Sequence, residues 1–265
     1  MSKGLIRLSL TGVLLSFLML AQSPPGATPR QNGLIVGHEH APMIVHERHG
    51  SQVTSANWSG YAVTGAPGSV TDVKGSWRVP ALLSCGSTDS YSSFWVGIDG
   101  YSSNTVEQTG TDSDCLNGVP TYYAWFEFYP HLSYTINSFP IAPGDVISAE
   151  VSADARGRFT VTLTNGSTGA TFSTSAKMPS AKRSSAEWIA EAPSSGGITP
   201  LADFGTVDFN SDTATVAGTT APIASFGSNV FEIQMVSKNG VPEASPSSLS
   251  GKGSSFSVAW QSSGQ

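Results

Sequence analysis

The chain has 265 residues, of which only 12% are charged, and 19 acidic side chains outnumber 13 Lys and Arg for a net charge of −6. So few basic groups on an acidic chain argue against a nucleic-acid partner. The length admits one large domain or two small ones, and a β-sandwich or barrel of this size is commonly one domain.

Residues 1–23, "MSKGLIRLSLTGVLLSFLMLAQS", carry Lys3 and Arg7 and then an apolar run from Leu8 to Ala21. That run is too short to span a bilayer comfortably, and Pro24, Pro25 and Gly26 follow it, so it reads as a secretory signal peptide. No later segment is apolar enough to cross a membrane. The mature protein is therefore expected to be soluble and secreted, with no membrane partner.

Residues 24–50 form a distinct segment rich in Pro and Gly that holds four of the five histidines: His38, His40, His46 and His49. Its composition reads as a pro-segment or linker, and no metal is expected. Residues 1–50 carry a net charge of +2 and residues 51–265 a net of −8. Acid would charge the histidines and neutralise carboxylates on the domain, which predicts weaker electrostatic docking between the two.

Residues 51–265 read as one domain of short alternating or β-branched runs separated by Gly, Pro, Asn and Ser. "GYAVTG", "SSFWVGIDG", "YYAWFEFYP", "RFTVTLTNG", "AEWIAEAP" and "SSFSVAWQSSG" are examples. Such spacing predicts an all-β, antiparallel sandwich. Cys85 and Cys115, in an exported chain, are expected to form a disulfide. Few carboxylates and abundant Ser and Thr predict tolerance of acid.

The stretch Tyr123–Pro130, "YAWFEFYP", sets one acid among aromatic and apolar neighbours. Strand alternation places Ala124, Phe126 and Phe128 on a core face and Tyr123, Trp125, Glu127 and Tyr129 on the other. Two readings stay open: the wall of a cleft, or a sandwich strand whose outer aromatics are covered by a loop. Elsewhere no GxSxG, HExxH or phosphate-binding Gly-rich loop is present, and His131 is the one histidine outside the N-terminal segment. Carboxylates and amides beside aromatics remain. They are Asp99 with Trp95, Glu107 and Gln108 in "VEQTGTD", and Glu187 and Glu191 in "AEWIAEAP". The last two lie roughly 13 Å apart along one strand, too far to act as a pair.

Taken in order, "NWSGYAV", "FWVGIDG", "VEQTGTD", "YAWFEFYP" and "AEWIAEAP" resemble the motifs of the glutamic peptidases, or eqolisins, over most of residues 57–193. The resemblance implies a lectin-like sandwich of two curved sheets and a catalytic pair formed by Gln108 and Glu191, the second acid of its motif. It implies that Trp95, Asp99, Trp125, Glu127 and Tyr129 line or support the substrate cleft. It further implies an acid endopeptidase in which Glu191 is general base and then acid while Gln108 stabilises the oxyanion. Polypeptide substrates, no cofactor and a monomer go with that reading. Fungal members often have an acid where this chain has Tyr123. A glycoside hydrolase, with Glu127 and Glu191 as its pair, or a carbohydrate-binding module on a lectin-like sandwich is the alternative.

Overall fold

In a computed structural model of the chain, the described residues are Met1 and 37–264. The expected signal peptide, but for Met1, and the first part of the expected pro-segment lie outside them. The N-terminal strands are β1 (Val45–His49), β2 (Gln52–Ser55), β3 (Trp58–Thr64), β4 (Val70–Arg78) and β5 (Ser93–Ile98). A long hairpin follows, β6 (Val106–Leu116) and β7 (Val119–Tyr129), turned by Asn117 and Gly118 at positive φ. Then come β8 (Tyr134–Thr135), β9 (Val146–Ala153), β10 (Arg158–Asn165), β11 (Thr171–Lys177) and β12 (Ser185–Glu191). The C-terminal part holds β13 (Thr206–Val216), β14 (Thr219–Pro222), β15 (Val230–Val236), β16 (Pro242–Pro246) and β17 (Ser255–Trp260).

Strand pairing gives two layers. One runs β8–β7–β6–β5–β12–β3–β15–β2–β1, antiparallel except for β15 with β2. The other runs β11–β10–β9–β4–β13–β17–β16 and returns to β15. Between them lies the main core, with Phe94, Val96, Phe126, Phe128 and Trp188 from the first layer. Val73, Trp77, Val151, Val161, Leu163 and Phe209 come from the second. The expected all-β antiparallel sandwich is thus observed.

Burial patterns separate the strands by what covers them. In β10 the residues Phe159, Val161 and Leu163 are buried and their neighbours are not, the alternation of a strand with one wet face. By contrast β5 and β12 are buried at every residue and β6 at all but its last. Their inner face meets the core. Their outer face carries a second apolar cluster built from Trp58, Trp95, Val106, Trp125 and Ile189, with Met43 from the N-terminal segment packed against it. The two readings of "YAWFEFYP" therefore converge: its aromatic face looks into a concavity, and the chain's own residues 38–43 lie over it.

Cys85 and Cys115 are bridged, as expected, tying the loop after β4 to the end of β6.

Candidate active site

Cross-strand register builds the floor of this concavity. Ile189, Trp95, Gly110 and Trp125 fall side by side on β12, β5, β6 and β7. Gly110 lets Trp95 lie down between its neighbours: a Cβ there would stand 2.6 Å from the Cβ of Trp95 and 2.2 Å from the carbonyl oxygen of Phe94. One step along the strands, Gln108 pairs with Glu127. One step the other way, Asp112 pairs with Tyr123 and, through Ser93, lies in register with Glu191.

Gln108 is fully buried, and its Nε2 donates to Glu127 Oε2 at 2.9 Å and to the backbone carbonyl of His40 at 2.6 Å. The Oε1 of the same amide has no protein partner. Glu127 also accepts from the backbone N–H of His40 at 3.2 Å. Glu191 Oε2 accepts from the indole of Trp95 at 2.8 Å and lies 3.4 Å from His40 Nδ1, while its Oε1 is unpartnered. Gln108 and Glu191 thus meet across one residue, His40, rather than through a direct hydrogen bond. Burial first, and then the charges of Glu127 and Asp112, push the Glu191 carboxyl well above the usual range. Burial does the same to Glu127, against the hydrogen bonds from His40 and Gln108.

The remaining expected residues divide. Trp95 and Trp125 are buried in the floor, and Tyr129 stands half-buried at its rim. Asp99 is placed elsewhere. It sits at positive φ just after β5, and its carboxylate accepts from the backbone N–H groups of Arg183 and Ser184 at 2.7 and 2.9 Å. It moors the loop before β12 and touches the floor only through that strand. Glu187 lies on the Glu191 face but keeps company with Asp99 and Glu107, so burial and those two charges raise its pKa.

Sequence reasoning missed the corner formed by Asp112, Asp114, Tyr123 and His38. Alternation along β6 was the available signal, because Gln108, Gly110, Asp112 and Asp114 must share a face. His38 Nε2 lies 2.8 Å from Asp112 Oδ2, and the Tyr123 hydroxyl donates to Asp114 Oδ2 at 2.6 Å. Burial opposes charge on both His38 and Asp112. The hydrogen bond and charge of Asp112 outweigh burial and raise the imidazole, while His40 and then His38 lower the carboxyl. Burial and the Asp112 charge raise Asp114. Among the described residues, His38, His40 and Asp112 are the group whose donor atoms come within 4.8 Å of one another. Two donors on one tetrahedral zinc stand about 3.3 Å apart, given bonds of about 2.0–2.1 Å. The 2.8 Å contact is that of a hydrogen bond.

The peptidase A4 family model matches residues 56–260. Aspergillopepsin-2 of Aspergillus niger is 34% identical over 191 residues, a stretch covering 63% of this chain and 66% of that protein. The chain thus spans just under two thirds of that relative's length. Among solved structures, scytalido-glutamic peptidase with a transition state analog inhibitor superposes with a TM-score of 0.67 at 28% identity, over 78% of this chain and 98% of that one. SCP-B, an eqolisin in complex with the tripeptide Ala-Ile-His, does so with a TM-score of 0.62 at 28% identity, with the same coverage. With the family's motifs laid out on one sheet face and its model covering most of the sandwich, the chain belongs to peptidase family A4, the glutamic peptidases or eqolisins.

Proposed function

We propose that the chain is a secreted acid endopeptidase that hydrolyses peptide bonds with Gln108 and Glu191. One observation carries this reading: a peptide carbonyl, that of His40, is held on the buried amide of Gln108 at 2.6 Å, beside the buried Glu191. An amide donor in a water-poor site is suited to a developing oxyanion, and such a donor is typically worth about 10²–10³ in rate. Glu191 is the one of its strand's two acids that reaches His40, at 3.4 Å from its Nδ1, and a carboxylate beside the bound segment is suited to take a proton from water and return it to the leaving amine. Its raised pKa belongs to the covered cleft. With residues 38–41 withdrawn it regains solvent, and the carboxyl falls back toward the acidic range where it can act as a base. The Cys85–Cys115 bridge fits an exported protein. Family membership sets the carbohydrate reading aside.

Gln108→Ala tests the proposal. On an acid-denatured protein substrate kcat should fall at least a hundredfold while KM changes far less, because the interaction matters in the transition state. A folded variant whose kcat stays within a few-fold of wild type would exclude the dyad.

A further inference from the structure

His38 and His40 are two residues apart, and in an extended stretch such residues face the same way. Glu39, between them, is exposed and anchors the backbone. It donates its N–H to the carbonyl of Ser194 at 2.8 Å and accepts from the N–H of Ser194 at 2.9 Å. The two imidazoles meet edge to face with centroids 5.1 Å apart, and both reach one carboxylate. Asp112 Oδ2 stands 2.8 Å from His38 Nε2 and 3.9 Å from His40 Nε2. All three side chains are buried, and one donor atom from each lies within 4.8 Å of the other two.

This cluster is short of partners. Neither ring nitrogen of His40 has a hydrogen bond, and neither does Asp112 Oδ1. Buried polar atoms in folded proteins are nearly always partnered, so these three need an explanation. The His40 ring is also not free to turn, because it lies on Trp125 with centroids 3.5 Å apart and planes 4° from parallel. Stacking aims Nε2 at Asp112 and leaves Nδ1 3.4 Å from Glu191 Oε2. A metal-bound imidazole is arranged in this way, with its second nitrogen toward a carboxyl that fixes tautomer and orientation.

From these contacts we propose that His38, His40 and Asp112 bind one divalent cation of the zinc type, which holds residues 38–41 over the cleft. Two imidazoles and a carboxylate suit zinc, and with three protein ligands the fourth position goes to water. Donors on one tetrahedral zinc stand about 3.3 Å apart. The 2.8 and 3.9 Å distances fall either side of that value, and moving Asp112 Oδ2 by about 0.5 Å evens them. The ion takes the place of the proton that joins His38 to Asp112, and that proton passes to solvent. Composition of residues 24–50 could not show the third donor, which lies 74 positions beyond His38. Withdrawing residues 38–41 parts both imidazoles from Asp112, so the ion binds the closed chain and favours it. The site stands whether or not Gln108 and Glu191 form a catalytic pair.

The test uses the full-length chain, stripped of metal by a chelator and kept at neutral pH. Titration calorimetry should find one zinc ion per chain. Cobalt in its place should give the strong visible absorption of a four-coordinate site, a reading of the ligands that needs no variant. His38→Ala, His40→Ala and Asp112→Asn, each shown folded by circular dichroism, should bind at least a hundredfold more weakly, since even an outer-shell loss costs about ten- to a hundredfold. His46→Ala and His49→Ala together, both exposed, should leave binding unchanged. Opening is read by an added Glu-specific protease, which can cut after Glu39 only when the segment leaves the cleft. At free zinc about a hundred times its dissociation constant, that cut should slow about a hundredfold in wild type and not at all in His40→Ala. Zinc binding that survives in the three ligand variants, or that disappears with His46 and His49, overturns the site. So does a wild-type chain that binds neither metal. One ion held at the three ligands with no slowing of the cut overturns its hold on the segment.

Discussion

The imidazole of His40 lies flat on the indole of Trp125, with Nδ1 3.4 Å from Glu191 and Nε2 3.9 Å from Asp112. Neither nitrogen has a hydrogen-bond partner. Burial pushes the ring's pKa down to about 3, against the pull of Asp112 and with a smaller push from His38.

That lowered pKa fixes a direction for acid. Once withdrawn, His40 titrates near 6.5, so below that pH the open state takes up a proton which the closed state refuses, and closure weakens. The gap of about 3.5 pH units at about 1.4 kcal/mol each sets a ceiling of about 5 kcal/mol. Glu191 and Glu127, raised while covered, act oppositely, favouring closure as pH falls to their ordinary 4.5 and adding nothing further below it. The His38–Asp112 pair holds until Asp112 protonates, below 3.8. Opening should therefore set in between pH 4.5 and 3. Tryptophan fluorescence of Glu191→Gln, titrated through that window, should change as Trp125 loses its stacking partner. His40→Phe in the same background should move the change to lower pH, and an unmoved curve would acquit the imidazole.

Glu191 and Glu187 share a strand face and differ in surroundings. Glu191→Gln should abolish hydrolysis at acid pH with folding intact, whereas Glu187→Gln, remote from the peptide carbonyl, should retain most of kcat. Equal losses would show that position along β12 does not select the base.

A buried acid predicts how stability follows pH. Glu107 lies in register with Ile98 and Phe128, and burial, with the nearby Asp99, raises its pKa to about 9. The folded state keeps this proton and the unfolded state loses it near 4.5. Stability should thus be greatest below pH 4.5 and decline up to pH 9, by at most about 1.4 kcal/mol per pH unit from this group. Thermal melts of Glu107→Gln should show a shallower decline and a higher Tm than wild type at pH 8. A wild-type Tm that climbs from pH 4.5 to 8 would contradict the assignment.

The bridge closes a loop of 30 residues, which in the chain-entropy model is worth roughly 3–4 kcal/mol. Thiol labelling of the denatured, unreduced protein should find no free cysteine, and Cys85→Ser should lower Tm by several degrees.

Much of the site could be read from alternation, because a strand of period two assigns faces without knowledge of its partner. Trp125 and Glu127 were separated from Phe126 and Phe128 in this way, and the separation is observed. What alternation cannot supply is the partner across the chain. Asp99 looked like a groove residue from its motif, but its hydrogen bonds go to backbone 84 and 85 residues away. His40 meets Glu127 across 87 positions. The histidines were legible as a charged segment apart, and their seats beside Asp112 and on Trp125 were not.

Glu127, Glu191, Asp112 and Asp114 crowd one concavity, and in the closed chain His38 is the cation beside Asp112 and Asp114, next to a His40 kept neutral by burial. Once that pair departs, four acids share the floor without a resident counter-charge. An incoming peptide must then bring its own. Sequences with Lys, Arg or His two residues before the one whose carbonyl Gln108 holds would fill the seat left by His38, and Asp- or Glu-rich ones would be turned away except in strong acid. The histidines at 38 and 40 are in this sense an imprint of the substrate that would follow them.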